Sequence, residues 1–108
     1  MEIRFHEKLY KDGMSNRKIR TIQRIVKKGK VPFPVFLITL PIGKQGILEV
    51  YWYPELMQTA YKKMETELVV VGIATQRAQA FELISLMISD AVADNNDISV
   101  KEFFGEYS

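Results

Sequence analysis

Glu67-Leu68-Val69-Val70-Val71-Gly72-Ile73-Ala74, with Thr75-Gln76-Arg77 directly behind it, is the stretch that decides the fold. From Leu68 to Ala74 no polar side chain interrupts the run, so it reads as a central strand rather than one with a wet face. Such a strand is covered on both faces, or covered on one and packed closely where Gly72 lacks a side chain. Thr75 suits the cap of a helix from about Gln76 to Ala93. On that helix Ala80, Phe81, Leu83, Ile84, Met87, Ile88 and Ala91 share one broad apolar arc, opposite Glu82, Ser85 and Ser89.

Upstream, Val35 to Leu40 is a second apolar, β-rich run, preceded by Val31-Pro32-Phe33-Pro34, where proline holds its predecessors extended. Pro41 to Gly46 is turn chemistry. Ile47 to Tyr53 then predicts a strand, suited to the edge of the sheet, and Pro54 suits the first turn of a short helix. At the start of the chain Ile3, Phe5 and Leu9 stand against Glu2, Arg4 and His6 with the two-residue period of a strand. Ser15 or Asn16 caps a helix whose Ile19, Ile22, Ile25 and Val26 form one stripe, and Gly29 closes it. Downstream, Asp94-Asn95-Asn96-Asp97 is a turn, and Ile98, Val100 and Phe103 predict a last strand.

The order strand, helix, strand, hairpin with short helix, strand, helix, strand predicts an α+β two-layer open sandwich, ferredoxin-like β-α-β-β-α-β with a short extra helix. The alternative, should residues 51–63 form a full crossover helix, is an alternating parallel α/β sheet. At 108 residues, 47% hydrophobic and 26% charged, the chain suits a single domain over 1–108. It has no cysteine, which excludes disulfides, thiolate metal sites and cysteine nucleophiles. No apolar run reaches the roughly 18 residues that span a bilayer, and Met1 to Glu7 lacks a signal-peptide core. These features predict a cytoplasmic protein with no membrane association.

Charge is unevenly spread. Residues 1–30 hold ten Lys and Arg against three acids, a net +7, while residues 31–108 carry −5. Arg17, Lys18, Arg20, Arg24, Lys27 and Lys28 cover the polar side of the first helix. They are either a solvated face or phosphate contacts for a nucleic acid. The strand-to-helix junction is a second candidate, where Thr75, Gln76 and Arg77 surround a helix N-terminus able to meet a small anion or nucleotide. Gly43-Lys44-Gln45-Gly46 lacks the spacing of a phosphate loop. The lone histidine, His6, reads as a solvated surface residue, and no carboxylate or histidine grouping has the spacing of a metal or catalytic site. No cofactor and no metal are expected. Tyr51, Trp52, Tyr53 and Phe104 are aromatics of the kind that fill interface cores.

The succession of a basic first helix, Val35-Phe36-Leu37-Ile38-Thr39-Leu40-Pro41, Leu48-Glu49-Val50-Tyr51, Glu55-Leu56-Met57 and Val70-Val71-Gly72-Ile73-Ala74 is similar to small uncharacterised bacterial proteins of about 100 residues. That resemblance covers nearly the whole chain. It implies the fold and a bacterial cytoplasmic setting, and brings no activity with it. The leading expectation is a non-enzymatic binding or regulatory module acting through protein contacts, as a homodimer. Nucleic-acid binding through residues 16–28 and anion binding at 72–77 are the alternatives.

Overall fold

The computed structural model describes residues 2–29, 33–42, 46–58, 65–95 and 100–106. Strand β1 spans Glu2–Lys11, helix α1 Asn16–Lys28, strand β2 Phe36–Thr39 and strand β3 Glu49–Trp52. They are followed by the short helix α2 (Tyr53–Leu56), strand β4 (Glu67–Ala74), the long helix α3 (Arg77–Asn95) and the single turn α4 (Val100–Phe103). The class is α+β: a four-stranded, mixed, open sheet in the order β1-β4-β2-β3. Strand β4 runs parallel to β1 and antiparallel to β2, and β2 runs antiparallel to β3.

Two core clusters lie on opposite faces of this sheet. Ile19, Ile22 and Val26 of α1 pack with Leu37, Leu68, Val70, Ile73, Tyr53 and Leu56. Ala80, Leu83, Met87 and Ala91 of α3 pack with Ile38, Leu40, Val71, Ala74, Val100 and Phe104. The alternation of Leu37 and Ile38 between the clusters is the period-two signature of a strand buried on both sides. Helices therefore cover both faces, and the expected two-layer sandwich is a three-layer arrangement. The alternating parallel sheet is also ruled out, because β2 is antiparallel to both of its neighbours.

The last predicted strand is corrected as well. Ile98 lies outside the described residues, but Val100–Phe103 is a helical turn. Phe104 donates its N–H to the Val100 carbonyl at 3.1 Å, and Gly105 leaves the turn at φ 72°. Val100 and Phe104, four residues apart, both bury against α3, which is a helical spacing rather than a strand one. Among the described residues the sheet thus has no strand after α3, where a ferredoxin-like β-α-β-β-α-β order calls for one.

Gly72 sits at an irregularity that orients the centre of the sheet. Ile38 pairs with Gly72, yet Thr39 pairs with Val70, so β4 carries one extra residue, a β-bulge. Val71 and Gly72 consequently both face α3, and the alternation resumes one residue out of phase at Ile73. A Cβ at Gly72 would stand 2.7 Å from Met87 Cε and 2.9 Å from Ile38 Cδ1. The close packing expected of this glycine is present, and α3 can approach the sheet because of it.

Candidate functional site

Helix α1 is held by sequence-local devices. Ser15 is extended at φ −66° and ψ 155°, and its side chain accepts the Lys18 N–H at 3.1 Å. Gly29 takes the left-handed conformation at φ 61° and donates its N–H to the Ile25 carbonyl. With Ile19, Ile22 and Val26 turned to the sheet, Arg17, Lys18, Arg20, Arg24, Lys27 and Lys28 are all exposed. Arg17, Arg20, Arg24, Lys27 and Lys28 follow one another along the side directly opposite the buried stripe. Among the described residues none of these six forms an ion pair with a carboxylate. Their bonds are local: Arg20 Nε donates to the Asn16 carbonyl at 3.4 Å, and Thr21 Oγ1 to the Arg17 carbonyl at 3.1 Å.

This charge arrangement works against the helix that carries it. The first turn holds Arg17 and Lys18 and no acid, at the end where the helix dipole is positive. Arg20 and Arg24, and Arg24 and Lys28, are like charges four residues apart, which repel on a helix surface. Only Lys27 and Lys28, in the last turn, complement the dipole. The same two lysines line a cavity of about 590 Å³ with Glu2, Ile3, Tyr53, Leu56 and Met57.

The junction between β4 and α3 is put together differently from the expectation. Helix α3 starts at Arg77, and the Thr75 hydroxyl donates to Gln79 Oε1 at 3.2 Å instead of accepting a backbone N–H. Arg77 lies over the Phe36 ring, its guanidinium carbon 5.5 Å from the centroid. Thr75 and Arg77 thus each meet a neighbouring side chain. Gly43, Lys44 and Gln45 lie outside the described residues.

The aromatic interface candidates separate. Tyr53 is 2% exposed, its hydroxyl 3.4 Å from the Val26 carbonyl, and burial raises its pKa. Phe104 is 4% exposed, so both belong to the chain's own core. Tyr51 and Trp52 are half-buried. The Tyr51 hydroxyl donates to Glu49 at 2.5 Å, and Trp52 packs on Phe36 with ring centroids 4.7 Å apart. Short range in sequence suggested one aromatic patch, but alternate residues of β3 go to opposite faces and Tyr53 begins a helix.

His6 is likewise not simply solvated. Its ring is half-buried edge-on to Phe104, at 5.1 Å between centroids. Nδ1 accepts the Lys8 N–H at 3.0 Å and Nε2 donates to the Phe104 carbonyl at 2.6 Å, which assigns the proton to Nε2. Arg4 bonds Glu67 at 3.1 Å and also Glu106, Lys8 stands over Phe103, and Tyr10 donates to Asp90 at 2.5 Å. The polar phase of β1 is therefore the seat of the C-terminal segment. The turn at 100–104, unforeseen from sequence, covers its middle, beside Asp90 of α3 and Glu106. Among the described residues no three His, Asp or Glu side chains gather as a metal site, and no helix is long and apolar enough to cross a membrane.

Sequence reasoning also missed that α3 is apolar on two sides. Ala80, Leu83, Met87 and Ala91 are buried, whereas Phe81 is 52% and Val92 39% exposed. The signal was present in the width of the arc, which exceeds what one contact face uses. No protein family matches this chain, and neither curated proteins nor solved structures show a match to it.

Proposed function

We propose that the chain is a non-enzymatic binding module whose working surface is the outer face of α1 and whose partner is a nucleic acid backbone. The observation that carries this reading is the run of six exposed cations with no carboxylate partner among the described residues, held in an arrangement that costs the helix stability. Such a cost is offset when phosphates take the place of the absent acids. Arg17 to Lys28 spans about 16 Å of helix axis, which matches about five nucleotides of one strand. Three of the six cations are arginines, whose planar fork suits phosphate oxygens. Thr21 lies between the cations and Ile25, half-buried, lies beside Lys18, so the face offers no fully exposed apolar residue to enter a membrane interface. No aromatic ring lies on it for base stacking, so contacts go to the backbone and sequence preference is weak.

The test is anisotropy of labelled single-stranded and duplex DNA and RNA across a salt series, for the full chain and for Arg20→Glu/Arg24→Glu/Lys27→Glu/Lys28→Glu. The reading expects affinity that falls steeply with salt and is lost in the variant. Equal binding by the variant, absence of binding at low salt, or binding to anionic vesicles in place of nucleic acid overturns it.

A further inference from the structure

A second surface, independent of α1, lies on α3. Ala78, Phe81, Ser85, Ile88 and Val92 recur at alternating steps of three and four residues, the spacing of a helix–helix seam. Ala78, Phe81, Ser85 and Val92 are exposed and Ile88 is half-buried, and none of the five is charged. Singly exposed apolar residues are ordinary, but Phe81 and Val92 exposed together on one uncharged line that runs about 21 Å along the helix are not. Leu86, 49% exposed, projects from a different side and does not belong to the line.

We infer that this line is the seam of a two-fold homodimer in which two copies of α3 pack antiparallel and cross at Ser85. The arrangement of residues favours a second copy over an unlike partner. A two-fold axis through Ser85 sets Ala78 beside Val92 of the second copy and Phe81 beside Ile88 of the second copy, so the line is complementary to itself. The small side chain at the crossing lets the two backbones approach. Charge agrees. Helix α3 has no acid in its first turn and no base in its last, so its own side chains leave both ends of its dipole uncompensated. Antiparallel packing lays each N-terminus, with Arg77, along the C-terminus of the other copy. The cationic face of α1 lies across the sheet from α3, so pairing through α3 does not bring the two basic faces together. A seam about 21 Å long and one helix face wide is small for a protein interface, which makes the dimer one that dissociates on dilution.

The chain's lack of cysteine makes the test direct. Helices at 8–10 Å between axes hold residues at their crossing within disulfide reach. Ser85→Cys therefore cross-links into a covalent dimer on mild oxidation, while Leu86→Cys does not. In light scattering over a concentration series, Phe81→Glu weakens the dimer about a hundredfold by setting an unpaired carboxylate against Ile88 of the second copy. Leu86→Glu leaves it unchanged, and circular dichroism confirms that both variants are folded. A monomer at about 1 mM wild-type protein, a dimer that survives Phe81→Glu, or cross-linking at 86 equal to that at 85 overturns the inference. The monomer result leaves the line to an unlike protein instead.

Discussion

Changing Arg17 and Lys18 to glutamate should make the protein more stable and a poorer ligand for nucleic acid at once. Both residues lie in the first turn of α1, where the free N–H groups carry partial positive charge and no acid is present. Each exposed charge there is worth ~0.3–1 kcal/mol, so replacing two cations by two anions gains about 1–2 kcal/mol after screening. Position 18 adds a local effect. Ser15 already accepts the N–H of residue 18 at 3.1 Å, and a glutamate there can return a bond to the Ser15 N–H, completing a capping box. For a domain of this size the gain corresponds to a Tm rise of roughly 5–10 °C. Binding moves the other way. If all six cations meet phosphates, the slope of log K against log salt on duplex DNA is about −5, and losing two contacts makes it shallower by about 1.8. Calorimetry and anisotropy on one preparation read both numbers. A lower Tm refutes the dipole argument, and an unchanged slope with unchanged affinity refutes the binding face. Because a merely damaged helix would lose stability and binding together, opposite signs are the outcome that only this reasoning expects.

Gly72→Ala should cost about 1 kcal/mol in urea unfolding, since the new methyl displaces the side-chain ends at Met87 Cε and Ile38 Cδ1, which can swing aside, and presses on Ile38 Cβ at 3.3 Å. Adding Met87→Ala should recover part of that cost, so additivity of the two changes counts against the clash. Thr39→Val should stabilise by about 1 kcal/mol: Thr39 is fully buried and its Oγ1 has no hydrogen-bond partner among the described residues, so a loss on substitution would reveal a partner. Burial, then the bond to Asp90 and its negative charge, raise the Tyr10 pKa well above its ordinary value of 10. The unfolded chain therefore releases this proton first, and stability that is complete below pH 10 falls as pH rises beyond it. Tyr10→Phe should flatten that alkaline decline in urea midpoints, and an equally steep decline sets the idea aside.

Much of the fold was legible where the deciding physics is local. Ser15 and Gly29 mark the ends of α1 because a cap and a left-handed glycine act within a few residues of themselves. The run at 68–74 declared a buried strand, and Gly72 declared a close approach, because a missing side chain in such a run has few other uses. Strand order was not legible. Whether β1 lies beside β4 or β2 depends on pairings such as Phe5 with Val70, set by packing between residues far apart in sequence. Steps of two and three residues, as from Ile98 to Val100 to Phe103, do not separate a strand from a helical turn. Only the burial of Phe104 at the fourth position decides it.

The candidate sites divide along the same line. The cations of α1 could be assigned to one outer face from sequence, because a short amphipathic helix with three buried aliphatics has only one way to lie on a sheet. Helix α3 could not be divided so, because both its buried side and its outer side are apolar. Phe81 next to Ala80, and Ile88 next to Met87, widen the apolar arc beyond the side the sheet covers, so Glu82, Ser85 and Ser89 orient the helix without showing which residues of the arc stay exposed. That ambiguity has a physical meaning. A helix apolar on two sides suits a place where both are covered, and the sheet covers only one of them. The layer order then gives each helix its own part: α1 turns charge outward from one face of the sheet, α3 turns apolar surface outward from the other, and Gly72 brings α3 close enough to Ile38 and Val71 for the inner side to be filled without its outer residues.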